Sequence, residues 1–178
     1  MTQEEQFAEI IKKVEELKRS GTVDLSTEED LSIAVMNLIS LEEHMFFTHA
    51  KTQKPEYLAL LGEVREMRKE LLGKMVARHE GETWCITKHL LAATMRLMEV
   101  GTKLNGDGKK AEAKEMFARA YKTYSMFWAL RLKLIGVPGF KEVAREEEGK
   151  NPASAKAPAG KAWTFSDIVD KLVDCCDE

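Results

Sequence analysis

Between Asp30 and Thr52 the chain reads DLSIAVMNLISLEEHMFFTHAKT, and Leu31, Val35, Leu38, Met45 and Phe46 recur there at three- and four-residue steps. That spacing places them on one face of a helix, and the face asks to be covered. A segment this apolar constrains the whole chain: the remainder has to supply helices to pack on it. The same face carries Glu42 and His49. A carboxylate on a face meant for burial is costly unless it protonates or meets a partner.

The rest of the sequence repeats the helical period. Thr2 to Ser20 opens with Thr2 and Glu5 at capping-box spacing and carries Phe7, Ile10, Ile11, Val14 and Leu17 on one stripe, with Gly21 as its stop. Ser26 and Glu29 form a second capping pair ahead of the central helix, and Lys54-Pro55 ends it. Pro55 to about Arg78 places Tyr57, Leu61, Val64, Met67, Leu71 and Met75 inward, flanked by Arg65, Arg68 and Lys69. Glu82 to Leu104 has the stripe Ile86, Leu90, Ala93, Leu97 and Val100 beside a polar line of Glu82, Cys85, His89, Arg96, Glu99 and Lys103. Asn105-Gly106-Asp107-Gly108 is a turn. Lys109 to Ile135 puts Ala113, Phe117, Ala120, Tyr124 and Phe127 on one face, next to Trp128, before Gly136-Val137-Pro138-Gly139 breaks it.

These segments predict an all-α fold. Its core is an antiparallel, up-down-up-down four-helix bundle over about Asp30 to Ile135, with an extra N-terminal helix on its side. Residues 1–148 form the bundle domain, 149–162 a flexible linker of small and Pro-containing sequence, and 163–178 a tethered C-terminal amphipathic segment. Trp163, Phe165, Ile168, Val169, Leu172 and Val173 make the apolar side of that segment, which is too short to hold as an isolated helix. Docking on the bundle, on a second copy or on a protein partner follows.

Four positions around the NGDG turn resemble a tetratricopeptide repeat hairpin. Gly101, Ala113, Phe117 and Ala120 occupy its small, small, aromatic and small positions, over about 34 residues. Leu97, Val100, Leu104 and Ser125 depart from it, and no second copy occurs. The resemblance implies two helices in close approach through small residues, not a repeat array.

The balance of 27 basic and 30 acidic residues argues against a dedicated nucleic-acid binder. No apolar run is long enough for a bilayer, and the acidic MTQEEQFAEI start is not that of a signal peptide. Three cysteines, Cys85, Cys175 and Cys176, do not make a disulfide framework and fit a reducing cytoplasm.

At 1.5 Å per residue along antiparallel helices, Glu42, Arg65, Arg96 and Tyr121 fall at one height, with Glu43, Arg68 and Glu99 at the edge of that layer. Two readings follow. In the structural one, the arginines neutralise Glu42 and set helix register. In the functional one, Arg65, Arg68 and Arg96 bind an anion beside Glu42 or Glu43 acting as acid or base. Cys85 and His89, four apart on one face, could give zinc two ligands, but structural zinc sites need four. Cys85 otherwise reads as a small buried hydrophobe, and His89 as a hydrogen-bonded neighbour of Trp84 or Trp128. No Glu-x-x-His pair lies on the core helices, and phosphate-binding glycine loops are absent. The sequence names no cofactor and neither assigns nor excludes enzymatic activity. Its leading expectation is a cytoplasmic interaction or scaffold protein. A ligand-binding or enzymatic bundle on the Glu/Arg layer comes second, and a metal-binding bundle third.

Overall fold

Where each helix starts and stops follows from local chemistry. The computed structural model describes residues 12–17, 19–21 and 24–134. Helical residues 12–17 and 19–20 are grouped as α1. Then come α2 (Leu25–Thr52), α3 (Glu56–Met75), a 3-10 turn at Arg78–Glu80, α4 (Glu82–Gly106) and α5 (Lys110–Arg131). All regular structure among the described residues is helical. No helix among them is long and apolar enough to cross a membrane.

α2 begins at Leu25, so the capping pair Ser26 and Glu29 lies inside the helix instead of before it. Its end is built locally. Gln53 takes the left-handed conformation at φ 57 and donates its N–H to the His49 carbonyl at 2.7 Å. The Gln53 amide also donates to the Ala50 carbonyl at 2.9 Å, and His49 Nδ1 donates to the Lys54 carbonyl at 2.8 Å. The two Gln53 bonds occupy carbonyls that the last turn leaves open, and the His49 bond ties the turn to the residue after it. Pro55, with φ already at −68, then leads into α3. α3 stops at Met75 because Val76 is extended, short of the expected Arg78. α4 runs to Gly106, and Gly108 at φ 77 makes the turn that follows.

The chain divides into two compact units, Leu25–Tyr124 and the flanking residues Met1–Asp24 with Ser125–Glu178. In the flanking unit Val14 is buried, and so is every residue from Ser125 to Leu130. Phe127 and Trp128 meet edge to face, with centroids 5.4 Å apart. A helix end buried all round differs from the single face expected of Phe127, and no period-3.6 pattern signals it. Lys13, Glu16, Leu17 and Ser20 share a cleft of about 290 Å³ with Leu132. The predicted linker 149–162 and the segment 163–178 lie outside the described residues, as does the Thr2 capping pair.

In the Leu25–Tyr124 unit, α2 packs on both α3 and α4. The buried residues of α2 are Ser32, Val35 and Met36, and those of α3 are Arg68, Leu72 and Met75. On α3 this corrects the expected stripe: Met67 is 54% exposed and its neighbour Arg68 only 4%. α4 is corrected the same way. Its buried residues are Thr87, Leu91, Thr94 and Gly101, while Ala93 and Val100 of the expected stripe are exposed. The helix is turned by about one residue, roughly 100°. Threonine can face inward there because its hydroxyl is satisfied within the helix. Thr87 donates to the Thr83 carbonyl and Thr94 to the Leu90 carbonyl, each at 2.8 Å.

Gly101 and Phe117 join α4 to α5. A Cβ built on Gly101 would lie 2.6 Å from Phe117 Cε1, so only glycine admits the ring as it sits. Ala113 and Ala120 are buried on the same α5 face. The close approach expected from the small residues is therefore present.

Candidate functional site

Glu42 and Arg68 form a deeply placed ion pair, with side chains 15% and 5% exposed. Arg68 Nε donates to Glu42 Oε1 at 2.7 Å, and Nη2 donates to Oε2 at 3.3 Å. The fork-on-fork geometry is the one a guanidinium makes best with a carboxylate. Tyr57, Leu61, Val64, Arg68, Leu71 and Met75 repeat at steps of four and three along α3, all at least partly buried. Arg68 thus fills a core position of a helix-helix seam. Glu42 does the same on α2.

The expected partners of Glu42 were Arg65 and Arg96. Neither is its partner. Arg65 lies one turn from Arg68 and is exposed. Arg96 reaches Glu43 instead, with Nη2 donating to its Oε2 at 2.5 Å, and its Nη1 donates to Glu99 Oε2 at 2.6 Å. These three side chains are 38–46% exposed. Burial by itself lowers the affinity of Arg96 for its proton, but the hydrogen bond and charge of Glu43, with Glu99 beside them, raise it on balance. Tyr121, expected in the same layer, is 41% exposed. Tyr124 is the tyrosine that bridges helices. Its hydroxyl lies 2.7 Å from Ser32 Oγ, which itself donates to the Glu29 carbonyl, so the tyrosine is the donor. The single expected layer is therefore two separate pairings: Glu42 with Arg68, and Glu43 with Arg96 and Glu99.

An open groove of about 620 Å³ runs along α2 beside α4. Asn37, Ser40, Leu41, His44, Phe47, Thr48 and Lys51 line its α2 side, and Arg96 and Glu99 its α4 side. The α2 residues follow helical spacing, so one face of α2 forms the floor. Three expected ligand residues, Glu43, Arg96 and Glu99, belong to this groove; Glu42, Arg65, Arg68 and Tyr121 do not. Reasoning from sequence missed Phe47, although it is adjacent to Phe46 in the most apolar segment; it is 59% exposed.

Cys85 and His89 are both exposed, which corrects the expectation of a buried thiol. No group of three or more His, Cys, Asp and Glu side chains that could hold a metal occurs among the described residues. The zinc reading required further ligands, and the described residues supply none.

No family model, curated protein or solved structure matches the chain.

Proposed function

We infer that this chain is a cytoplasmic, non-enzymatic interaction protein. Its bundle is an antiparallel four-helix core over about residues 30–135, and its C-terminal segment binds a protein partner or a second copy through Trp163, Phe165, Ile168, Val169 and Leu172. One observation carries this reading. The charged side chains best placed for chemistry are consumed by each other, Arg68 by Glu42 and Arg96 by Glu43 and Glu99. Large apolar side chains stand open at the same time, among them Phe46, Phe47, Leu58 and Met67. A guanidinium already paired with a carboxylate gives an incoming anion little to gain. An uncovered apolar side chain gains by being covered.

The antiparallel arrangement draws support from Glu42–Arg68, Glu43–Arg96, Ser32–Tyr124 and Gly101–Phe117, which join positions at similar heights in such a bundle. Deleting residues 163–178 tests the function. The expected result is an unchanged helical signal and melting transition with lost partner recovery or an altered oligomeric state. Unchanged elution and unchanged partner recovery would count against the reading.

A further inference from the structure

We propose that the groove face of α2 is a self-association surface. Two copies pack α2 against α2 in antiparallel sense, about a two-fold axis at Phe47. This surface is independent of the C-terminal segment and stands whether or not that segment binds anything.

The argument rests on how charge is laid out along the face. Glu43, Phe47 and Lys51 follow one another at four-residue steps, so they share a stripe of α2. Glu43 and Lys51 lie about 6 Å to either side of Phe47 along the axis. At one end, Arg96 stands between Glu43 and Glu99, so three charged groups sum to one net negative charge. Arg96 takes Oε2 of each carboxylate, and among the described residues no hydrogen bond reaches Oε1 of either. At the other end, Lys51 is exposed and makes no ion pair among the described residues. An isologous contact requires that residue i meet j while j meets i. Antiparallel pairing about Phe47 does this: each Lys51 reaches the spare carboxylate oxygens of the other copy, twice over. Parallel pairing would set Lys51 against Lys51.

The centre of the contact is apolar. Phe47 is 59% exposed, more than any other large hydrophobic side chain among the described residues, and Leu41, at 37%, shares the groove. On the axis, each Phe47 ring covers its symmetry mate. The face from Asn37 to Lys51 is about 20 Å long. That is short for a standard interface, so association is weak and concentration-dependent.

Sedimentation velocity on the full-length protein across the micromolar range tests this. The wild-type chain is expected to shift from monomer to dimer with concentration, and added salt is expected to weaken the dimer. Lys51→Glu sets like charges together twice and should weaken association at least about tenfold. It is a surface change, so circular dichroism should be unaltered. In a background where Cys85, Cys175 and Cys176 are serine, Phe47→Cys should form a disulfide dimer under mild oxidation. Leu41→Cys should not, because its mate would lie about 18 Å away along the helix. A wild-type chain that stays monomeric throughout overturns the proposal. So does a dimer indifferent to Lys51→Glu, or a Leu41→Cys chain that cross-links as readily as Phe47→Cys. A dimer lost on deleting 163–178 yet untouched by Lys51→Glu assigns association to the C-terminal segment and overturns the α2 surface.

Discussion

The two ends of the α2–α3 pair differ. At the end remote from the Gln53–Pro55 connection, Ser32, Val35 and Met36 of α2 and Leu72 and Met75 of α3 are buried. At the connection end, no residue from Asn37 to Met67 is buried, and Leu41, Phe46, Phe47, Leu58, Leu60 and Met67 are exposed. Glu42 and Arg68 stand at the border between them. The closed end is held by contacts between distant parts of the chain, such as Ser32 with Tyr124. The open end is finished by local bonds: Thr48 to the His44 carbonyl, Thr52 to the Thr48 carbonyl and His49 to the Lys54 carbonyl. A helix can thus be continuous over 28 residues while only part of its apolar face is covered. Helical periodicity reports the helix; coverage has to come from elsewhere.

Substitutions along the pair should expose this gradient in urea or thermal unfolding. The largest effect is expected at the border. Arg68→Ala leaves Glu42 without its guanidinium and should cost about 3–5 kcal/mol. Converting both partners, Glu42→Leu with Arg68→Met, should recover most of that loss, because an apolar pair of similar volume needs no desolvation of charge. If the double change is no better than the single one, the pair does more than neutralise itself. Leu72→Ala at the closed end should cost about 2–4 kcal/mol, as fully buried leucines do. Gly101→Leu forces Phe117 aside and should cost about 1–3 kcal/mol. Thr94→Val keeps the shape and removes only a hydroxyl bonded inside its own helix, so about 1 kcal/mol or less is expected. Phe46→Ala, at the open end, should change stability by about 0.5 kcal/mol or less. A loss there equal to that of Leu72→Ala would mean that the open end is covered in solution, and the comparison would fail.

Much of this was legible in the residues themselves. The turn that Gly108 makes after α4, the stop at Lys54-Pro55 and the approach of Gly101 to Phe117 each follow from local stereochemistry. The inward-facing charge on α2 was legible as well: Glu42 is deeply placed and answered by an arginine. Which arginine answers it was not. Arg65 and Arg68 are one turn apart, and height alone separates them by only about 4.5 Å. The exposure of Cys85 and His89 was not legible for a related reason. Four-residue spacing says that two side chains share a face, but not whether that face is turned to neighbours or to solvent.

The sequence by itself determined that the described residues fold as helices and where most of those helices begin and end, because caps, prolines, glycines and the 3.6-residue period act within a few residues of chain. The tertiary structure decided how each helix is rotated about its axis. It chose Arg68 over Met67 and Thr94 over Ala93 for the interior. Adjacent residues differ by only about 100° around a helix, so the apolar pattern tolerates either choice. What selects one is the energy of whole surfaces meeting: a bidentate ion pair to be accommodated, threonine hydroxyls already satisfied, and an aromatic ring resting on a glycine.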